Sequence, residues 1–582
     1  MSGLLFNYRN PTTIKVVAEV LSGVPVIRDI QYYPAQKMKM NQSMLSSPRQ
    51  FDPKMVRWLL VVGIVLFLFK LWIVGGHDIL VKFRPHDDSL FAILATSLLE
   101  GNWLGEYNNK TLIKGVGYPL FMAASVWLGT AILTLQHLLY GFVCFLVVVA
   151  LKPVVRHPVF LLACFSFLVF NPMTYTYPLM SVTLRASLYL SLSLWVLASL
   201  LGLWHCRKHR GMATVWWSLS LSMSFVWLWI TREETIWIMP GLLAFAFIYL
   251  LPFRWNSGNS LMLRLTALII PLASLGLVNM AVVSKNESHY GVSVVNELKS
   301  SEFSRALGGL MRIRHDELEE HVIVSKDAQA RAFRASPAFA ELEPYLSGES
   351  KLPASFYIWR LRSAVRMAGY YDDPGDATRT FDFYRRMGNE INDACENGGL
   401  DCHDRSPSIR PVWHAEYNSR IWPTFSKLTW TALSNELFRS DTVGIGSKED
   451  IDTLFYNDLL TGESTLRKSI YFEKKLPNYY RHIVLVKQAF MGVVGTIYQN
   501  LVPVLFAVAL LVHIFQVGGM IRRRQFKEKP VFGLVILGSI FTILCLLTYV
   551  KITIWPVPRP LHTLSPIILL YVVYMLLPVE EK

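Results

Sequence analysis

Two adjacent aspartates follow the first long apolar run of the chain, in the segment RPHDDSLFAILATSLLEGNW. Asp87 and Asp88 open a stretch whose apolar residues recur at helical spacing, so they stand at the start of a predicted helix. A carboxylate at that position can simply cap the free amide groups of the helix. Carboxylates beside a bilayer are costly without a task, however, and this pair is therefore a candidate functional site.

Further charged or histidine side chains stand at the ends of other apolar runs. They are His86, Lys114, Arg185, Arg232, Glu233, Glu234, Arg559 and His562. Each type has a purely structural alternative: a lysine can extend its stem to the lipid headgroups, a loop arginine can be an ordinary surface cation, and an Arg-Glu-Glu group can be an internal ion-pair cluster. Lone histidines are more often polar contacts than ligands. Arg185 is harder to explain structurally, because apolar residues flank it at a helix start.

The composition is that of a membrane protein. Hydrophobic residues make up 52% of the chain and charged residues only 17%, with a mean hydropathy of +0.34. Runs of about 20 apolar residues recur, each long enough to cross the hydrocarbon core as a helix. We therefore predict an all-α polytopic membrane protein with about ten transmembrane helices. The predicted spans are 56–74, 132–151, 159–177, 186–204, 213–230, 235–251, 261–283, 500–517, 530–550 and 561–577.

Basic loops indicate the orientation of these helices. Residues 152–157, 205–210, 254–264 and 521–529 are rich in Lys and Arg, and with the predicted spans all four fall on the side of the N-terminus. The positive-inside rule makes that side cytoplasmic. Because the net charge of +15 lies largely in such loops, it gives no support to nucleic-acid binding. Residues 117–130 are apolar but short, so we predict an interfacial helix there rather than a span.

The chain is thus predicted to have four parts. Residues 1–55 form a cytoplasmic tail, and 56–283 form the main transmembrane part, with a long first outer loop at 75–131. A polar, mainly helical insert on the extracytoplasmic side covers 284–480. Residues 481–582 contain the last spans. The candidate functional residues then share the extracytoplasmic face.

Four segments on that face follow one another in a distinctive order. The first loop contains Asp87-Asp88, then Gly101-Asn102-Trp103, then Lys114 through Leu120. Three more are LRASLYLSL (184–192), WITREETIW (229–237) and PRPLHTLSP (558–566).

In this order the segments resemble the GT-C glycosyltransferases, which include the bacterial aminoarabinose transferases and the protein O-mannosyltransferase-like group. The third segment, 229–237, resembles a largely uncharacterised bacterial subgroup. There are departures: Gly115-Val116 replaces the Pro-Pro of the family, Ala186 stands where Glu is common, and a His or Leu replaces a Tyr near the last spans. The resemblance covers roughly 56–283 and 530–578 and leaves the insert unmatched.

The resemblance implies an inverting transfer of a sugar from a polyprenyl-phosphate donor to a glycan, lipid or protein acceptor on the periplasmic or exterior side of the inner (plasma) membrane. By position in the motif, Asp87 is the candidate base, and Asp88 would orient it or share a metal ion with it. Three cations are candidates to hold the donor phosphate: Lys114, Arg185 and Arg559.

The remaining candidates would contact the sugar or a metal ion. They are His86, Arg232, Glu233, Glu234 and His562. No cofactor is certain from the sequence, although the acidic residues could bind a divalent cation such as Mg²⁺ or Mn²⁺ through oxygen ligands.

Two features of the insert have alternative interpretations. Cys395 and Cys402 flank a Gly-Gly turn and could form a disulfide in an oxidising compartment; a zinc site is disfavoured because the chain has no second pair nearby. The aromatic segment 412–425 could stack on sugar rings or form a small core, and the core is favoured. Residues 331–346 and 356–371 are predicted to be amphipathic helices.

Other functions are weighed against sugar transfer. A transporter or lipid flippase should show broken spans or repeated halves, whereas these spans are mostly clean. Lys70 is the clearest charge within a span, and a stem reaching the headgroups would explain it. A polysaccharide polymerase would share the same outer-face chemistry. A non-catalytic receptor would leave the acidic pair unexplained.

Overall fold

A computed structural model describes most of the chain from residue 52 onward. The described residues are 52–75, 77, 79–80, 88–175, 180–181, 183–207, 211–232, 235, 238–251, 259–317, 319–346, 354–404, 409–433, 465–466, 478–554 and 559–578. Residues Phe51–Lys582 form one compact unit. The predicted tail, 1–55, lies almost wholly outside the described residues.

Helices make up nearly all the regular structure that is described. Those before the insert are α1 (Pro53–Val74), α2 (Asp88–Leu99), α3 (Gly117–Trp127), α4 (Ile132–Leu151), α5 (Pro158–Val169), α6 (Ala186–Cys206), α7 (Met212–Thr231), α8 (Met239–Leu250) and α9 (Asn259–Tyr290). Those of the insert are α10 (Ser301–Arg312), α11 (Lys326–Ala335), α12 (Pro337–Ala340), α13 (Glu343–Leu346), α14 (Ala354–Met367), α15 (Thr378–Glu396) and α16 (Asn418–Leu433). The last are α17 (Asn478–Arg523), α18 (Glu528–Thr553) and α19 (Leu564–Leu576).

Short 3-10 turns and one pair of strands complete the described elements. The turns are Pro172–Thr174, Glu297–Lys299, Ala415–Tyr417 and Arg559–Thr563. The strands β1 (Ile79–Leu80) and β2 (Thr465–Leu466) pair in parallel.

Seven of the described helices are long and apolar enough to cross a membrane: α1, α4, α6, α7, α9, α17 and α18. The chain is therefore a multi-pass helical membrane protein, as predicted. Three of the ten predicted spans, 159–177, 235–251 and 561–577, contain shorter apolar helices than predicted, because α5, α8 and α19 have only 12, 12 and 13 residues. A 12-residue helix is about 18 Å long, well short of the hydrocarbon core. Prolines at the first turn fix where α5 and α8 begin.

α6 lies at the centre of the membrane part. Its window of highest hydropathy is 94% buried, against 17% for α1 and for α9, and it packs against α4 and α7. A helix that is apolar all round and buried all round is an interior helix, whereas α1 and α9 expose apolar side chains to the surroundings of the bundle.

Lys70, near the end of α1, does not reach the headgroups. Its side chain is 1% exposed. The ammonium group donates a hydrogen bond to the hydroxyl of Thr174 and lies 3.5 Å from the centre of the Tyr175 ring. The interpretation of Lys70 as a snorkelling residue is therefore wrong, since a polar pocket inside the bundle satisfies the group instead.

The helices that flank the insert extend further than hydropathy predicts. α9 continues to Tyr290, past the predicted end at 283, and α17 begins at Asn478, well before the predicted start at 500. With 32 and 46 residues, they are about 48 and 69 Å long, more than the roughly 30 Å of the hydrocarbon core. Hydropathy marks where a helix leaves the bilayer, not where it ends.

The basic loops meet at one end of the bundle. There, Arg207 forms a 2.5 Å ion pair with Glu528, and Arg264 donates to the backbone carbonyl of Arg207 at 3.2 Å. Lys529 donates to the carbonyl of Leu577 at 2.6 Å. Helices distant in sequence thus end together, which agrees with the common side predicted for these loops. We call this the basic end, and the opposite end the insert end.

The insert has its own buried core, built mainly where α10 packs against α15. Phe303 and Tyr384 meet edge to face there, 5.1 Å between ring centres. Just past the end of α15, Cys395 and Cys402 form a disulfide with Cα atoms 5.5 Å apart.

One predicted helix of the insert, 331–346, is instead divided among α11, α12 and α13. Ser336 is the reason for the first break: its hydroxyl caps α12 by accepting from the Phe339 amide at 3.0 Å. Pro337 has no amide to continue α11.

The favoured interpretation of 412–425 as a small core is wrong. Trp413 is 39% exposed and Trp422 is 73% exposed, and α16 packs against α18 rather than within the insert.

Candidate functional site

The structure describes part of the predicted site. Side chains are described for Lys114, Arg185, Arg232 and His562. The other predicted side chains lie outside the described ones: His86, Asp87, Asp88, Glu233, Glu234 and Arg559. Of these, Asp88 begins α2, and Arg559 begins the last 3-10 turn.

The Gly-Asn-Trp segment anchors the first loop to the end of α9. Gly101 has φ 81° and Trp103 has φ 50°, so the chain turns sharply after α2. The indole N–H of Trp103 donates to the side-chain oxygen of Asn286 at 2.8 Å. Asn286 is fully buried and donates in turn to the Val294 carbonyl at 2.7 Å. This segment therefore has a positioning role.

A buried ion pair fastens the same loop to the insert. The guanidinium of Arg362 donates to both oxygens of Glu297, at 2.6 and 2.9 Å, and to the backbone carbonyl of Asn109. Both charged side chains are 0% exposed. The hydroxyl of Tyr371 also donates to Glu297, at 2.9 Å, and the Glu297 amide donates to the Leu112 carbonyl at 2.8 Å. Burial without such partners would be prohibitive, so the cluster holds loop and insert together.

The electrostatics of this cluster follow from its burial. Burial alone would lower the pKa of Arg362, but the Glu297 carboxylate outweighs it and raises that pKa. Burial raises the pKa of Tyr371. The arginine therefore stays charged and the tyrosine stays neutral, which is a structural arrangement rather than a proton-transfer one.

Gly115 lies where the first loop crosses the end of α7. A Cβ atom at Gly115 would come within 2.1 Å of the Ile230 carbonyl oxygen, and one at Gly117 within 2.4 Å of the Thr231 hydroxyl. The departure from Pro-Pro at Gly115-Val116 thus has a physical reason: only glycine allows the backbone to approach so closely.

Arg185 lies at the same place, beneath the first turn of α2. Its side chain is 9% exposed and donates to the Thr231 carbonyl at 3.2 Å. The guanidinium lies 5.7 Å from the centre of the Phe91 ring, which in turn meets the Tyr118 ring edge to face at 5.0 Å. Because Phe91 is one turn beyond Asp88, Arg185 lies near the helix start that carries the acidic pair.

Three further cations lie against aromatic rings around this junction. Lys114 is 5.6 Å from the Trp359 ring of the insert, Arg232 is 5.1 Å from the Tyr189 ring, and Lys299 is 4.6 Å from the Trp229 ring. Lys114 thus lies beside the insert, and the alternative in which its stem extends to the headgroups stays a prediction. Arg232 and Lys299 also line a narrow crevice. Its walls are Gly115, Val116, Trp229, Ile230, Arg232, Val282, Val295, Asn296 and Lys299.

The last 3-10 turn, Arg559–Thr563, packs against α6, the helix that Arg185 precedes. His562 lies in this turn, and its Nδ1 is buried with no hydrogen-bond partner among the described residues. The last turn, which contains two predicted site residues, is thus brought to the same helix as Arg185. No described contact joins His562 to Lys114 or Arg232.

A cavity of about 460 Å³ adjoins the crevice on the insert side. Lys299 and Val295 line both. Four hydroxyl groups and three other charged side chains share the cavity with apolar residues. They are Ser293, Ser300, Ser301, Thr378, Glu302, Asp382 and Arg385.

Charges in the cavity are arranged as ion pairs. Arg385 lies 3.3 Å from Glu302 and 2.5 Å from Asp382. Partial burial would raise the pKa of Glu302, but hydrogen bonds from its own amide, Ser301 and Arg385 lower it overall. The cavity thus offers carboxyl groups, a guanidinium and hydroxyls, which suits a polar, hydroxyl-bearing ligand.

Sequence reasoning missed the residues of the insert that complete this junction: Glu297, Lys299, Glu302, Arg362 and Arg385. The segment VNELKSSEF carries a capping signal, because Ser300 accepts from the Phe303 amide at 3.1 Å. No local signal pairs Glu297 with Arg362, 65 residues away.

A metal ion remains a prediction. Among the described residues, no group of three or more His, Cys, Asp or Glu side chains could hold a metal. The acids on which the prediction depends, Asp87, Asp88 and Glu233, lie outside the described side chains.

No family model and no curated protein matches the chain. Among solved structures, the apo oligosaccharyltransferase of Archaeoglobus fulgidus is similar at 11% identity and a TM-score of 0.29, covering 73% of this chain and 60% of that chain. ArnT from Cupriavidus metallidurans bound to undecaprenyl phosphate is similar at 11% identity and a TM-score of 0.27, covering 88% of this chain and 77% of that chain. This chain thus spans less than two thirds of the oligosaccharyltransferase. Such TM-scores are too low to assign a family.

Proposed function

We propose that the chain is a membrane glycosyltransferase of the GT-C type, which moves a sugar from a polyprenyl-phosphate donor to an acceptor at the insert end. The main support for this proposal is the junction where the first loop, the end of α7 and the insert meet. Arg185, Arg232 and Lys299 gather there, at the end of the membrane helices. The phosphate group of a lipid lies at the boundary between the hydrocarbon core and water. Cations at that boundary can bind it.

Each part of the junction has a role in this proposal. Arg232 and Lys299 would bind the donor phosphate, together with Lys114, Arg185 and Arg559. The crevice that they line holds only about 10 Å³ and would have to widen to admit the phosphate. The adjoining cavity would receive the acceptor, because its hydroxyls and charges can exchange hydrogen bonds with a polyhydroxylated molecule. Since Lys299 lines both spaces, donor and acceptor would meet beside it.

The chemistry is a single displacement at the sugar. An acceptor oxygen would form a bond to the anomeric carbon as the bond to the phosphate oxygen breaks, which inverts that carbon. Asp87 would take the proton of the acceptor hydroxyl, with Asp88 or a divalent cation orienting it. The cations would stabilise the charge that grows on the departing phosphate. The contact of Arg185 with the Phe91 ring, in the first turn of α2, supports this role for the arginine.

The test is Asp87→Asn in a strain that lacks the native gene. We expect this variant to insert and fold normally but to leave the lipid-linked sugar unconsumed and the acceptor unmodified, as mass analysis of glycans and lipid-linked intermediates would show. Asp372→Asn, in the exposed turn of the insert, is the matched control and should restore transfer.

Two results would contradict the proposal at different levels. Full activity of Asp87→Asn would remove that residue from the role of base. No change in any glycan or lipid-linked intermediate after gene deletion would overturn sugar transfer itself. Accumulation of the intermediate on the cytoplasmic side alone would instead support a flippase.

A further inference from the structure

α16 leaves the core of the insert and runs along the transmembrane helix α18. Trp413, just before α16, stacks on Tyr549 with ring centres 6.0 Å apart, and the Tyr549 hydroxyl donates to the Pro411 carbonyl at 3.1 Å. Further along, Phe425 meets Phe541 at 5.7 Å. The two helices therefore run in opposite directions.

The depth of these contacts follows from α18 itself. Tyr549 lies one turn from the insert end of Glu528–Thr553, whereas Phe541 lies at its middle. Eight residues of helix separate them, or about 12 Å. α16 has 16 residues, about 24 Å, and thus reaches from the insert end towards the middle of the hydrocarbon core and beyond Phe425.

The outward side chains of α16 are large and apolar. Trp422 and Trp430 are each 73% exposed and Ile421 is 42% exposed. On α18, Phe541 and Leu534 are 58% and 44% exposed, as expected for a helix that faces lipid. The apolar surface of α16 is continuous with this lipid-facing surface, because Phe425 packs on Phe541.

The polar groups of α16 are also arranged for a medium without water. Ser426 donates to the Pro423 carbonyl at 3.1 Å, and Thr429 donates to the Phe425 carbonyl at 2.8 Å, so their hydroxyls are satisfied within the helix. Arg420, in the first turn, pairs with Glu320 of the insert at 3.0 Å.

Lys427 is the one exposed charge further along the described part of α16. Helix side chains tilt towards the N-terminus, which here is the insert end. The lysine stem can therefore extend along the helix towards the headgroups while its methylene groups remain in lipid.

We propose that α16 is a re-entrant helix, which enters the bilayer from the insert end and presents Trp422 and Trp430 to lipid acyl chains. The chain has returned to the insert end by residue 465, because β2 pairs with β1, a few residues past the insert end of α1. The insert is thus anchored in the membrane by its own helix, independently of any catalytic role.

The test measures the surroundings of single spin labels in the full chain, reconstituted in lipid nanodiscs. The thiol cysteines 144, 164, 206 and 545 are first replaced by Ala, and the disulfide is kept. Labels are then placed by Trp422→Cys and Trp430→Cys. Trp216→Cys, exposed on the spanning helix α7, is the lipid control, and Asp372→Cys, exposed in the insert, is the water control.

Collisions with dissolved oxygen and with a water-soluble nickel complex distinguish the outcomes. We expect labels at 422 and 430 to favour oxygen over nickel, as at 216, by a ratio several-fold higher than at 372. A nickel-dominated signal like that of 372 would place α16 in water and overturn the proposal. Protection from both reagents would mean that protein covers α16, which would overturn it as well.

Discussion

The two ends of the helix bundle both collect cations, but they use them differently. At the basic end, Arg207 forms an ion pair with Glu528 and donates to the Trp204 carbonyl at 2.6 Å. Lys529 donates to the Leu577 carbonyl, at the end of α19. At the insert end, Arg232 and Lys299 lie over aromatic rings and line a crevice that adjoins a cavity.

The difference separates structural cations from candidate functional ones. Helix C-termini expose carbonyls that attract positive charge, so a cation bonded to them ties helices together. The two cations at the insert end instead lie at the surface of a crevice, where a ligand could contact them. Charge alone, which is all that the sequence shows, does not distinguish the two.

The largest expected effect comes from breaking the ion pair that joins loop and insert. Glu297→Ala leaves Arg362 charged and buried without its carboxylate, which we expect to cost about 3–5 kcal/mol of stability. A drop in the thermal unfolding midpoint and new protease cleavage in the first loop would show it. The control Glu343→Ala, at an exposed position of α13, should leave both unchanged; if Glu297→Ala behaves like it, the cluster does not hold the loop.

Gly115→Ala should have the next largest effect. The added Cβ meets the Ile230 carbonyl oxygen at 2.1 Å, so loop and α7 must separate, at a cost of about 1–3 kcal/mol. Gly276→Ala, where no atom lies within 4 Å, is the matched control. Thermal unfolding of both variants tests the close approach, and equal midpoints would argue against it.

Two arginine substitutions, one at each end of the bundle, should have different effects. Arg232→Ala should reduce sugar transfer by about 100-fold, as loss of a group that stabilises developing charge does. Arg207→Ala should do the reverse, lowering stability by about 1–3 kcal/mol with transfer per folded molecule retained. If the two variants lost transfer and stability to the same extent, the cations at the two ends would not differ in role.

The smallest effect concerns the pH dependence of stability. Burial, with the nearby Lys70 and Lys487, lowers the pKa of His77 from 6.5 to about 4. Below pH 6.5, His77 binds a proton in the unfolded chain but stays neutral in the folded chain. The free energy of unfolding therefore decreases as the pH falls towards 4. The loss is about 1.4 kcal/mol at pH 5.5.

His77→Gln should remove that contribution. Between pH 7 and 5.5, the thermal unfolding midpoint of this variant should fall less than that of the native chain, measured in the same detergent or lipid. If the unfolding midpoints of the variant and the native chain fell equally with pH, the burial of His77 would not lower its pKa as expected.

Long apolar helices and their common basic end were predictable because hydropathy and loop charge act locally along the chain. The contacts that hold the first loop to α9 and to the insert were not predictable. Trp103 pairs with Asn286 across 183 residues and Arg362 with Glu297 across 65, and no local pattern specifies such partners. α16 was missed for a different reason: its Asn, Arg, Lys, Ser and Thr residues lower its hydropathy, while α18 supplies the apolar contact.

α16 also sets a constraint on biogenesis. It ends at Leu433, whereas α18, on which it packs, begins at Glu528. A ribosome must therefore add nearly a hundred more residues before α16 can find its permanent neighbour. Until then a chaperone, the translocation machinery or the lipid itself must cover its exposed tryptophans. An excised insert made without α18 should therefore aggregate.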